Sequence, residues 1–343
     1  MRVAQMSDSA TSTGGAVDRE SMDAGRSDAD AVRPDAATDA GARRGSIGVA
    51  SWLITTARAM AVQPKVHLRV LTDAVRLVRE RRTLLLELVR REITDQFAGS
   101  MAGAAWSVLH PLLQMFVYVG VFAFIFRVRP PMGESINPYG FDFTVQMISA
   151  YLPFIVFMNM LGAAPAAVSG QANLVKQVVF PIELLPLRCV LAALLPQVVG
   201  TVFLLAYTLI KFGTLPWTWI FWPLLIPFQI LAVAGIAYAL AALGVYFRDI
   251  RDITRVLATV LLYLTPILYT EAMLESNEDM GWLVAVLKAN PLSWLVWPFR
   301  DVAFYGSFQH PWAWVVMPIG SIVIFVAGWR IFRRLKPYFG NAL

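Results

Sequence analysis

The stretch FRDIRDITR places Asp249 and Asp252 three residues apart, so that a helix would set both carboxylates on one face. Two such carboxylates can hold a divalent cation and activate a phosphoryl group, the chemistry of a metal-dependent membrane phosphotransferase. Arg248, Arg251 and Arg255 surround the pair, and ion pairing at a helix junction accounts for the same spacing without a metal. Nothing else concentrates catalytic side chains. His67, His110 and His310 are scattered without ligand spacing, and Cys189 is a lone thiol inside an apolar run. The chain carries no G-x-x-x-x-G-K-[ST] phosphate loop, no G-x-S-x-G elbow and no H-E-x-x-H helix.

The elements that would position any site are set by composition. Of 343 residues, 57% are hydrophobic and 15% charged, and the mean hydropathy is +0.59. That excess over a soluble domain predicts an all-α, polytopic membrane protein. The net charge of +6 resides in basic clusters beside the apolar runs, which points to membrane orientation and away from nucleic acid. Residues 1–45, rich in Ala, Asp, Ser, Gly and Thr, are too polar to offset their ordering entropy and read as a disordered cytoplasmic tail.

Residues 46–100 form an interfacial segment. From Leu71 onward, Leu77, Leu84, Leu85, Leu88 and Ile93 recur at helical spacing, with Arg76, Arg79, Arg81, Arg82, Arg90 and Arg91 between them. This predicts an amphipathic helix on the membrane surface; a solvated helix is the alternative. Residues 101–335 hold six apolar runs near bilayer length: Trp106 to Phe126, Val145 to Ala167, Cys189 to Ile210, Phe221 to Tyr246, Ile253 to Tyr269 and Trp312 to Ile331. With six spans, the basic clusters at Arg79 to Arg91, at Lys176 and Arg188, at Arg248 to Arg255 and at Arg330 to Lys336 all fall on one side. Both termini, including the short tail 336–343, are then cytoplasmic. Between Thr270 and Pro311, two apolar stretches broken at Asn290-Pro291 are too short to cross and predict external re-entrant helices.

Four motifs carry a resemblance. In residues 91–126, Phe97, Gly99, Ser100, Gly103, Trp106, Pro111, Leu112 and Tyr118 match a basic helix, a Gly-Ser turn and an apolar span with Trp and Tyr. Ala98, Ala102 and His110 depart from that pattern. The stretch NLVKQVVFPIELLP supplies Asn173, Leu174, Val175, Lys176, Phe180, Pro181, Leu185 and Pro186, with Gln177 in place of a lysine. YFRDIRDI and NPLSWLVWPFRD follow in order. On these residues the chain resembles the permease subunits of ABC-2 type exporters of polysaccharides and lipid-linked glycans, which cover O-antigen, teichoic acid and cell-wall galactan export.

The resemblance implies a homodimeric membrane channel at the inner membrane, powered by two copies of a separate ABC ATPase that binds ATP and Mg. This chain itself would be no enzyme and would hold no cofactor or metal. Asn173, Leu174, Val175, Lys176, Phe180 and Pro181 become a coupling helix that docks on the ATPase, with prolines stiffening the connection. Sugar rings have apolar faces, so aromatic surfaces suit a sliding glycan; Trp106, Phe116, Tyr118, Phe122, Tyr151, Phe154 and Phe157 are the candidates. Arg79, Arg82, Arg90 and Arg91 would meet the pyrophosphate of a lipid-linked glycan or anionic membrane lipids. The re-entrant pair, with Trp282, Trp294 and Trp297, would form the external gate. A small-molecule or drug exporter permease of the same superfamily is the alternative within transport.

Overall fold

The computed structural model describes residues 64–100, 103–121, 138–175, 180–269, 274 and 281–342. Among them every regular element is helical. The tail 1–45, and residues 46–63 of the interfacial segment, lie outside the described residues.

Two helices open the described chain, α1 (Pro64–Glu80) and α2 (Arg82–Asp95). The expected single helix is interrupted at Arg81, whose backbone leaves helical geometry, although Arg81 N–H still reaches Leu77 O at 3.0 Å. Val70, Leu71, Ala74 and Leu77 turn one stripe of α1 inward, and Leu84, Leu85, Leu88 and Val89 do the same for α2. After α2, Gly99 and Gly103 both take positive φ, a conformation that glycine adopts without strain.

Among the described residues, four helices are long and apolar enough to cross a membrane. They are α4 (Phe143–Ala163), α5 (Leu184–Phe212), α6 (Trp222–Tyr246) and α10 (Pro311–Leu335). Asp142 caps α4 by accepting the Val145 N–H at 3.2 Å, and Gly213 ends α5 in the left-handed region with its N–H on Leu209 O at 3.0 Å. These four match the second, third, fourth and sixth runs. The first run appears as α3 (Trp106–Val119), and its end, Phe122 to Phe126, lies outside the described residues.

The fifth run forms the 15-residue helix α7 (Ile250–Leu264). At 1.5 Å per residue that is roughly 23 Å, short of a hydrocarbon core about 30 Å thick. The cause is local: Thr265 takes extended backbone before Pro266, which disfavours helix in the residue it follows. Beyond it come α8 (Gly281–Ala289) and α9 (Pro291–Arg300), both too short to span. Asn290 separates them, accepting Leu292 N–H at 3.0 Å and donating through Nδ2 to Leu264 O at 3.0 Å.

Helix α4 is buried nearly all round and sits at the centre, against α5, α6, α7 and α9. The most extensive helix pair is α6 with α10. It crosses where Gly235 faces Gly328, so closely that a Cβ on Gly328 would overlap the Gly235 carbonyl.

Candidate functional site

A cavity of about 700 Å³ opens between the end of α2, α3, α4 and α5, with Leu262 of α7 on its rim. Each wall is one helical stripe. Ser107, His110, Pro111, Gln114 and Tyr118 repeat at three- and four-residue steps along α3. Tyr151, Phe154, Ile155, Met158, Asn159 and Gly162 do so along α4, and Cys189, Ala192, Ala193 and Pro196 along α5. The small side chains of α5 create the space that the tyrosines of α3 and α4 face.

The aromatic wall is held by one carboxamide. Gln114 Nε2 donates to Tyr151 Oη at 2.7 Å and lies 3.3 Å from Tyr118 Oη. The two phenol rings meet edge to face, with centroids 4.9 Å apart. A glutamine inside an apolar run was itself a legible signal, since polar groups are costly there, and sequence reasoning passed over Gln114.

At the end of the cavity nearer α2 stands its one acidic side chain, Glu92. Arg188 Nε lies 3.3 Å from Glu92 Oε2, an ion pair by distance without an aligned N–H···O bond, with Arg188 almost wholly buried. The remaining polar wall is made of the His110 imidazole and of amides and hydroxyls from Gln96, Ser107, Gln114 and Asn159. Such a surface can hydrogen-bond hydroxyls and stack on ring faces without holding an ion tightly.

The candidate aromatics divide. Tyr118, Tyr151 and Phe154 line the cavity. Trp106 is half-buried at the start of α3. Phe116 points the other way, 60% exposed and packed edge-on against Phe203 at 5.3 Å. Phe157 is buried beside a second, apolar cavity of about 240 Å³ with Val233, Leu261, Asn290 and Leu295. Phe122 lies outside the described residues.

In the stretch 173–181, Asn173 is exposed, Leu174 and Phe180 pack partly against the core, and Val175 ends a one-turn helix from Ala172. Lys176 lies outside the described residues. Pro181 is half-buried and accepts the Leu184 N–H at 3.0 Å, so α5 starts immediately after it. Arg79, Arg82, Arg90 and Arg91 are all exposed, and Arg91 pairs with Asp95 at 3.3 Å. On α1, the Arg76 side chain bonds Glu80 at 2.7 Å and holds its carboxyl below the usual glutamate range.

The three tryptophans meant for a gate occupy different settings. Trp282 is 67% exposed. Trp294 Nε1 donates to Lys288 O at 2.8 Å, fastening α9 to α8. Trp297 is fully buried, stacked on His310 at 5.0 Å and edge-on to Trp312 at 4.9 Å. Below it, buried Asp301 receives the His310 N–H at 3.1 Å and Trp314 Nε1 at 3.0 Å, and faces His310 Nδ1 at 2.8 Å.

Asp252 pairs with Arg255 at 3.0 Å on an exposed face, and Asp249 stands at the start of α7. Among the described residues no group of three His, Cys, Asp or Glu side chains converges as a metal site would require.

Residues 83–304 match the ABC-2 type transporter family. The chain is 28% identical over 273 residues to the O-antigen export system permease protein RfbA of Myxococcus xanthus, an alignment covering 78% of this chain and 100% of that protein. It is 27% identical over 266 residues to a protein of the same name in Klebsiella pneumoniae, covering 76% of this chain and 95% of that one.

Proposed function

The chain belongs to the ABC-2 type transporter family, and from that premise we propose that it is the permease subunit of an ATP-driven exporter of a lipid-linked polysaccharide. Its relatives named as O-antigen export permeases support a glycan cargo of the O-antigen, teichoic acid or cell-wall galactan kind. The observation that carries the reading is the cavity wall of Tyr118, Gln114 and Tyr151, where two aromatic rings and a carboxamide line a space of about 700 Å³.

In this reading the chain spans the inner membrane several times with both termini in the cytoplasm. Two copies form the channel, and an ABC ATPase dimer holding ATP and Mg docks on the 173–181 stretch. The exposed arginines of α1 and α2 lie at the cytoplasmic leaflet, where anionic headgroups and a lipid pyrophosphate both reside. Helix α9 packs toward Phe157, and α8 and α9 form the outer boundary of the path; buried Trp297 anchors that boundary, Trp294 fastens its two helices together and Trp282 is exposed on it.

The test is co-purification in detergent with the ABC ATPase of the same cells. ATP hydrolysis is then compared for the wild type and for Lys176→Ala with Phe180→Ala. Stable association that the double substitution weakens supports the reading. An isolated chain that binds no ATPase and turns over a lipid phosphate by itself would overturn it.

A further inference from the structure

Glu183 closes the turn that follows the 173–181 stretch. Its nearly buried carboxylate accepts Lys336 Nζ at 2.7 Å, and its carbonyl accepts the Tyr238 hydroxyl of α6 at 3.0 Å. Lys336 stands at the end of α10. One turn earlier, Arg333 pairs with Asp73 of α1 at 3.1 Å and lies over the Trp329 indole, 5.7 Å from its centroid. After Lys336 the chain stays docked, because Phe339 is fully buried and packs edge-on against Phe332 at 5.4 Å.

The other flank of the stretch is attached to α6. The carbonyl of Pro165 lies against Gly244 of α6, in a place that any Cβ on Gly244 would occupy. Both flanks therefore bear on α6, the Glu183 flank also reaches the end of α10, and those two helices are joined at Gly235 and Gly328.

We infer that Glu183 and Lys336 are positioning residues that carry displacement of the 173–181 stretch into α10, so that α5, α6 and α10 move with it as one body. The inference rests on the proposed docking of an ATPase at that stretch. An exposed ion pair would be too weak and too easily broken for this task. This one is shielded on the carboxylate side: Glu183 keeps 9% of its side-chain exposure against 35% for Lys336, and separating the partners would leave the carboxylate only the small polar cavity of about 220 Å³ that it shares with Asp73, Arg76 and Arg333. The pair therefore stays closed while its surroundings move.

The experiment uses the full permease with its ATPase in proteoliposomes, a polyprenyl-diphosphate oligosaccharide as the transported probe, and four forms: wild type, Glu183→Gln, Lys336→Met and the exchange Glu183→Lys with Lys336→Glu. Assembly, ATP hydrolysis and probe exported per ATP are each measured. The expected result is ATPase binding and hydrolysis close to wild type in the single variants, with export per ATP reduced about tenfold, within the range of a lost coupling contact. The exchange restores most of it. Single variants that export the wild-type amount per ATP overturn the inference and leave the proposed function standing. So do single variants that fail to assemble, if the exchange assembles no better. A wild-type chain that recruits no ATPase removes the proposed function, and the inference with it.

Discussion

Gln114 and Tyr151, 37 residues apart in the chain, meet at 2.7 Å across the wall of the large cavity. The bond joins α3 to the central helix α4 and sets the angle at which the Tyr118 and Tyr151 rings face the space. One carboxamide thus decides how two aromatic surfaces are presented.

Replacing Gln114 by Leu leaves the Tyr151 hydroxyl without this partner in a part-buried site, which is expected to cost about 1–3 kcal/mol. Adding Tyr151→Phe removes the hydroxyl that has lost this donor and returns part of that loss. Thermal unfolding of the two variants in detergent checks the order; a double variant less stable than the single one would contradict it.

The crossing of α6 and α10 is set by two glycines. Gly328→Ala places a methyl group on the Gly235 carbonyl, so the helices must separate, at an expected cost of about 3 kcal/mol or more. Gly320→Ala, on the same helix with open space at its Cβ, should leave the unfolding temperature nearly unchanged. Equal effects at the two positions would rule out the close contact as the cause.

Asp301 gathers the His310 backbone N–H, the His310 ring and the Trp314 indole around a buried carboxylate. Asp301→Ala strands several donors at once and is expected to destabilise by about 3 kcal/mol or more. Asp301→Asn keeps one acceptor oxygen and should lose less. Tryptophan fluorescence during thermal unfolding reports both, because Trp297 and Trp314 flank the site.

On α1, the Arg76 contact lowers the pKa of Glu80. A carboxyl whose folded pKa is depressed adds stability above its unfolded value, and that addition is lost as pH falls through the folded one. Both side chains are exposed, so the effect on stability is small. Carbon-13 titration of the Glu80 carboxyl should show protonation at lower pH than an ordinary glutamate, and Arg76→Ala should raise it. No movement on that substitution would contradict the pairing.

Hydropathy alone located the long helices, because a backbone in lipid must bond within its own segment and so becomes a helix wherever about 20 apolar residues run together. It also marked the polar stretch 173–186 and the break at Asn290-Pro291, since Pro and Asn act through local backbone geometry. Facing was another matter. Helix α4 is buried nearly all round and its sequence carries no periodicity to separate Tyr151, on the large cavity, from Phe157, beside the smaller apolar one. Phe116, read as a channel aromatic, is exposed, and Trp297, read as part of an external gate, is buried behind His310. The approach of Gly235 to Gly328 and the joining of Glu183 to Lys336 pair residues 93 and 153 positions apart. The amino-acid sequence determined which segments are helices and roughly where they end; the tertiary structure decided which stripe of each helix meets which other, because that depends on side-chain shape across helices and not on any one segment's composition.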